Sequence, residues 1–264
     1  MPSWDPQVYG RYAGERGRPF TDLLARVGAV TPQTVVDLGC GSGELTAALA
    51  RRWPDARVHG IDSSAAMLQR AAEHGGAKLT FGQQDVTTWQ PAHPVDVIVS
   101  NAVLQWVPDH LPVLEGWCRQ LAPGGWLAVQ VPANFDAPSH ALMREVADLP
   151  PFADALDGVL RGAESVADPT TYAALLAGVG LDVDAWETTY LHVLPGEDAV
   201  LEWVRGTGLR PVLDALAGDP GLSRAFVDEY AARLRAAYPR RPFGTLLPFR
   251  RVFVVATRPT EETA

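Results

Sequence analysis

The chain has 264 residues, 47% of them hydrophobic, and carries a formal net charge of −9 from 22 basic and 31 acidic side chains. This supports a sizeable core and argues against a nucleic-acid-binding surface. No apolar stretch approaches a membrane span, and the two cysteines, Cys40 and Cys118, lack metal-ligand spacing, so reduced thiols and no structural metal are expected.

In chain order, the opening Met1-Pro2-Ser3-Trp4-Asp5 lacks the basic and apolar regions of a signal peptide, which leads to the expectation of a cytoplasmic protein without a membrane partner. Residues up to Val30 read as a helical preface, with Tyr9, Tyr12, Phe20 and Leu24 as apolar anchors. Residues 31–132 then alternate strand and helix, the pattern of an α/β, doubly wound, mostly parallel sheet. Strands are expected at Val35–Leu38, Arg57–Asp62, Lys78–Phe81, Val95–Ser100 and Leu127–Val131, the last entered through the turn Pro123-Gly124-Gly125. Helices are expected at Leu45–Ala50 and at Ala65–His74, the second capped by Ser63-Ser64.

Beyond residue 132 the pattern is less regular. Pro138–Asp148 reads as a helix broken by Pro150-Pro151, and Pro169–Val179 as a helix stopped by Gly180. Val183–Val193 and Phe249–Thr257 have strand character, while 197–238 is mostly helical with breaks at Gly206, Gly208 and Asp219-Pro220-Gly221. The expectation is one domain over 1–264, with a cofactor-binding core at 31–132 and helical cap insertions at 133–168 and 194–245 covering the carboxyl edge of the sheet, where such folds bind ligands.

The chemistry concentrates after the first strand, in Asp37-Leu38-Gly39-Cys40-Gly41-Ser42-Gly43-Glu44. Glycine accepts positive φ and lets a ligand approach bare backbone, and a helix start beside it offers unpaired N–H groups. A dinucleotide fingerprint would place Gly or Ala at Glu44, and an acid there sits poorly against a pyrophosphate. No Tyr-x-x-x-Lys pattern accompanies it, since the single lysine, Lys78, follows His74 at that spacing, so a nicotinamide oxidoreductase is disfavoured. Asp62 ends the second strand, about 20 residues beyond the turn, where an acid accepts ribose hydroxyls.

This constellation resembles the class I S-adenosylmethionine-dependent methyltransferases, which implies a Rossmann-like fold and S-adenosyl-L-methionine as cofactor. The implied cofactor set is Asp37 for the ammonium, the turn residues Gly39, Cys40 and Gly41, then Asp62 and Ser63, Met67 against the adenine, Asp85 and the Val86 backbone at the adenine edge, and Asn101 at the end of the fourth strand. Core packing is an equal alternative for Met67.

The acceptor must be aligned and shielded from water. A phenol or alcohol needs a base, whereas a carboxylate is already ionised and needs cations to orient it. Arginine suits that task, and Arg16, Arg18, Arg205, Arg210, Arg250 and Arg251 lie outside the cofactor motifs. Arg250 and Arg251 precede a strand-like run, so at most one should face a pocket. Several stretches together look like the trans-aconitate 2-methyltransferase branch of the family: Trp4-Asp5-Pro6 with Tyr9, Arg18-Pro19-Phe20, Leu104-Gln105-Trp106, Trp186-Glu187-Thr188-Thr189-Tyr190, Leu209-Arg210-Pro211 and Phe249-Arg250-Arg251. The resemblance implies monomethyl esterification of trans-aconitate, with Arg18, Arg210, Arg250, Arg251, Trp106 and Tyr190 as substrate-binding residues and no acid–base catalytic residue. His192 is then dispensable as a base. Two alternatives remain: a methyltransferase for another small metabolite, and a non-catalytic S-adenosylmethionine-binding protein.

Overall fold

The computed structural model describes residues 13–162 and 165–260. The expected anchors Tyr9 and Tyr12, together with Trp4-Asp5-Pro6, lie outside the described residues. The described residues form two compact units: 14–132, 166–188 and 251–260 make a sheet unit, and 133–162 and 165 with 189–250 make a helical unit.

Among the described residues the strands are β1 (Thr34–Leu38), β2 (Arg57–Asp62), β3 (Leu79–Gln83), β4 (Val95–Asn101), β5 (Leu121–Pro132), β6 (Asp182–Leu194) and β7 (Thr245–Thr257), in the spatial order β3-β2-β1-β4-β5-β7-β6. The pairs β1–β2, β1–β4, β2–β3 and β4–β5 are parallel, and β5–β7 is antiparallel. The central strands read as near-continuous apolar runs because both faces are covered, and Val35, Leu38, Val97, Ile98, Val99 and Leu127 are buried accordingly.

Helices in the sheet unit are α1 (Ala13–Leu24), α2 (Glu44–Arg52), α3 (Ala65–Ala71), α4 (His110–Cys118) and α7 (Pro169–Gly178). Phe20 and Leu24 are buried on α1. The hydroxyl of Ser64 caps α3 by accepting from Met67 N at 3.4 Å. Asp168 caps α7, taking Thr171 N at 2.9 Å, and Pro169 occupies the first helical position, where a missing N–H costs nothing.

Two sheet details differ from the sequence pattern. β3 runs on to Gln83 because Phe81, Gly82 and Gln83 continue the ladder opposite Gly60, Ile61 and Asp62. β5 begins at Leu121, and Pro123-Gly124-Gly125 forms a bulge inside it: the register passes from Val95 opposite Leu121 to Val97 opposite Trp126. Reciprocal bonds anchor the bulge, Gly124 N donating to Arg258 O and Arg258 N to Gly125 O, both at 2.9 Å.

The helical unit contains α5 (Pro138–Ala147), α6 (Ala153–Leu156), α8 (Ala199–Arg205), α9 (Arg210–Ala215) and α10 (Pro220–Ala237). Its core includes Met143, Phe152, Trp203, Phe226, Tyr230 and Phe249. The short α6 follows the Pro150-Pro151 break, and the break expected at Asp219-Pro220-Gly221 separates α9 from α10, whose start it forms: Asp219 accepts from Leu222 N at 2.9 Å and Pro220 takes the first helical position.

In the sheet unit, the fully buried Tyr172 places its hydroxyl 2.7 Å from His110 Nε2 and accepts from Ala167 N at 3.3 Å. Tyr172→Phe strands both partners, so urea denaturation is expected to show a loss of about 1–2 kcal/mol. An unchanged midpoint would mean that the hydroxyl contributes no net stability.

Candidate functional site

The turn after β1 is shaped by backbone bonds. Gly39 N and Cys40 N both donate to Ile61 O at 2.9 Å. Gly39 sits at φ +83°, and a Cβ there would lie 2.2 Å from Val103 Cγ2, so no larger residue fits. Gly41 sits at φ +53°, and a Cβ there would meet nothing within 4 Å. The first glycine is thus required by the fold, while the second keeps one side of the loop open.

Asp62 fastens this turn to the next helix. One carboxylate oxygen accepts from Gly41 N at 2.9 Å and the other from Ser64 N at 2.8 Å. Ser63 lies between them, its carbonyl accepting from Gln83 Nε2 at 3.0 Å, and Met67 is buried on the first turn of α3. After β3, Asp85 is exposed and its Oδ1 accepts from Thr87 N at 2.8 Å and Thr87 Oγ1 at 2.7 Å. The next residue is set by a group that periodicity does not mark: the indole of buried Trp117 on α4 donates to Val86 O at 3.0 Å.

A row of polar side chains crosses the carboxyl end of the sheet on one face. Asp37 is level with Val99, two residues before Asn101; Asn101 is level with Gln130, and Gln130 with Phe253, two residues from Arg251. Strand side chains alternate, so Asp37, Asn101, Gln130 and Arg251 share that face. Asp37 is 3% exposed, and its Oδ2 accepts from Thr46 Oγ1 at 2.7 Å. Burial pushes its carboxyl up to about 6; the Thr46 hydrogen bond works against this, and the charge of Asp62 adds to it. The same burial, reinforced by Asp37 and Asp62, raises the Cys40 thiol and keeps it protonated.

At the other end of the row Arg251 is 6% exposed, and its Nη1 donates to Gln130 Oε1 at 3.0 Å. Asn101 Oδ1 and Gln130 Nε2 are buried atoms without a hydrogen-bond partner among the described residues. Gln130 is absent from the sequence-derived set. Its signal is a lone amide inside the apolar run Trp126–Val131, which on a buried strand demands a partner.

The other expected substrate residues fall in both units. In the sheet unit, Arg18 is exposed on α1, and Trp106 is half-buried in the 3₁₀ turn Leu104–Trp106. In the helical unit, Tyr190 is buried with its ring 6.4 Å from His192, which packs 4.6 Å from Trp203. Arg210 opens α9 and pairs with Asp214 at 3.0 Å. Arg250 is exposed, with Nε donating to Ala133 O at 2.8 Å. Arg250 and Arg251 therefore leave opposite faces of β7, and the buried one is Arg251.

These residues fit S-adenosylmethionine. The open side of Gly41 admits a ligand to the backbone, the buried Asp37 carboxylate would be relieved by an ammonium, and Asn101 Oδ1 is a ready acceptor. Among the described residues no group of three His, Cys, Asp or Glu could hold a metal, and no helix is long and apolar enough to cross a membrane.

Residues 35–125 match the family described as a methyltransferase domain. The chain is 57% identical over 265 residues to a trans-aconitate 2-methyltransferase of Streptomyces coelicolor, covering 98% of this chain and 88% of the relative. It is 53% identical to a trans-aconitate 2-methyltransferase of Rhodococcus jostii, covering 96% of this chain and 98% of the relative. Its fold is similar to that of phosphoethanolamine N-methyltransferase 2 of Haemonchus contortus, solved with S-adenosyl-L-methionine, at a TM-score of 0.55 and 18% identity over 92% of this chain and 53% of that one.

The two glycines should separate fold from binding. Gly39→Ala is expected to lower stability by roughly 2 kcal/mol or more through the clash with Val103. Gly41→Ala should cost only about 1 kcal/mol of backbone strain while weakening S-adenosylmethionine binding in calorimetry; equal melting losses with unchanged affinity would refute the distinction. Asp37 has a folded-state value above its unfolded one, so its ionisation opposes folding. That cost is absent below about pH 4, grows as pH rises through about 6 and is constant above. Asp37→Asn should therefore stabilise the ligand-free chain at pH 8 by up to about 3 kcal/mol and weaken cofactor binding. A lower melting temperature at that pH would contradict it.

Proposed function

This chain belongs to the trans-aconitate 2-methyltransferase family, and we propose that it esterifies one carboxylate of trans-aconitate, releasing the monomethyl ester. Its cofactor is S-adenosylmethionine. The observation that carries the acceptor assignment is Arg251, a buried guanidinium midway along β7 and opposite Pro132 at the carboxyl end of β5, on the same sheet face as Asp37. A small polyanion, not a nucleic acid or a membrane, is the partner this reading assigns.

When bound, S-adenosylmethionine supplies an electrophilic methyl on a sulfonium, which a carboxylate oxygen takes by in-line displacement, leaving S-adenosylhomocysteine and a methyl ester. The protein's part is placement. Asp37 holds the ammonium, Asp62 retains lone pairs for ribose hydroxyls beside its two backbone bonds, and Asp85 with the Val86 backbone meets the adenine edge. Asn101 adds an acceptor. The carboxylic acids of the acceptor ionise well below neutral pH, so no side chain has to remove a proton. Arg251 binds and orients a carboxylate in a site from which water is largely excluded, where a charge-assisted hydrogen bond is strong. The protonated Cys40 and the half-buried Trp106 contribute walls without competing charge.

We assign the carboxylate-binding role first to Arg251. In the sheet unit Arg18 is the second cation of the expected set. Arg210, Arg250 and Tyr190 of the expected set belong to the helical unit.

The purified chain, supplied with S-adenosylmethionine and trans-aconitate, cis-aconitate or citrate, is expected to yield the trans-aconitate monomethyl ester selectively by mass spectrometry. The rate should be flat between about pH 7 and 9, where acceptor and Asp37 carboxyls are ionised. A rate that climbs through one ionisation in that window would point to a hydroxyl acceptor and a general base, and absence of ester would end the acceptor assignment.

A further inference from the structure

We propose that Gln130 is a specificity-determining residue for the anionic acceptor: its carboxamide oxygen aims Arg251, and its Nε2–H donates to a carboxylate oxygen of the substrate. The proposal deepens the reading above and rests on it.

The argument begins with donor chemistry. A guanidinium only donates, so the group of Gln130 that receives Arg251 Nη1 at 3.0 Å must be the oxygen. The amide nitrogen then points elsewhere. Gln130 is fully buried, so Nε2 cannot turn to solvent, and it has no partner among the described residues. A buried polar group left this way is costly. On the adjacent strand, level with Gln130, Asn101 presents a buried acceptor, Oδ1, that is also without a partner there. A donor and an acceptor on adjacent, in-register strands would satisfy each other if their geometry served only the fold; here they do not meet.

Their order along the sheet matches the two reactants. Asn101 lies toward Asp37 and so toward the positively charged end of the cofactor, for which an acceptor is the right group. Gln130 lies toward Arg251 and so toward the trianion, for which a donor is the right group. A neutral amide also spares the site a second buried charge, while fixing the side chain of Arg251 before substrate arrives.

Gln130→Glu separates the two roles. A carboxylate preserves, and strengthens, the anchor for Arg251, but it offers no donor and opposes an anion. Gln130→Met removes anchor and donor together at similar volume. Binding of trans-aconitate to the S-adenosylhomocysteine complex is read by calorimetry, beside KM, kcat and S-adenosylhomocysteine affinity. The expected result is an acceptor Kd and KM raised roughly tenfold or more in both variants, with S-adenosylhomocysteine affinity unchanged. Wild-type acceptor affinity in Gln130→Glu overturns the proposal, because a structural amide is replaced there without loss. If Gln130→Glu does not fold, Gln130→Met decides, and wild-type affinity in it overturns the proposal equally. If the unaltered chain binds trans-aconitate without methylating it, the acceptor reading fails while the Gln130 comparison still stands in the isotherms. If it binds no tricarboxylate, both fail.

Discussion

The site depends on a register. Parallel pairing of β1 with β4 and of β4 with β5, followed by antiparallel pairing with β7, sets the parity of every side chain on those strands. Asp37, Asn101, Gln130 and Arg251 are far apart in sequence, and none contacts another through neighbouring positions in the chain. They form a row only because each ladder holds its phase. A slip of one residue would turn a strand's polar side chain to the other face and an apolar one into its place. Apolar side chains adjacent to three of them, Val36 beside Asp37, Val129 beside Gln130 and Val252 beside Arg251, make such a slip expensive.

Within that row charge runs from acid to base across two neutral amides. On the proposed reading the arrangement suits a reaction between a cation and an anion, since each reactant would meet its complement. It also has a thermodynamic cost, carried at Asp37, whose carboxyl is held near pH 6 by burial. If the cofactor's ammonium sits on Asp37 as proposed, binding would draw a proton off it below neutral pH, so cofactor affinity would be coupled to proton concentration even though the proposed chemical step moves no proton.

Much of this was readable from residue order, for definable reasons. The apolar runs that end in acids, the glycine turn and the Ser64 cap are local signals, and local signals survive without an alignment. The fold they imply, an α/β sheet with a glycine turn after β1, is the fold found. What was hidden depends on phase between distant segments. Arg250 and Arg251 are adjacent and chemically alike, and only the pairing of Arg251 with Pro132 on β5 decides which is buried. Gln130 is a lone polar residue in an apolar strand, and nothing local says what it faces. Trp117, whose indole sets the Val86 carbonyl, lies 31 positions away on α4. Pro123-Gly124-Gly125 carries ordinary turn residues, and nothing local distinguishes a turn before a strand from a bulge within one.

That bulge has a further consequence for how the chain tolerates change in length. Between Val95 and Val97 on β4 the ladder advances two positions, while on β5 it passes from Leu121 to Trp126. The surplus is stored where Gly124 can adopt φ +74° and where bonds to Arg258 pin the loop from the side. Insertions or deletions in this short stretch can be absorbed as a larger or smaller loop, leaving everything from Trp126 onward in phase. The same event between Trp126 and Gln130 has no such outlet and would shift the amide to the opposite side of the sheet. The bulge thus acts as a slack element upstream of the polar row, and it divides β5 into a segment that is free to vary in length and one that is not.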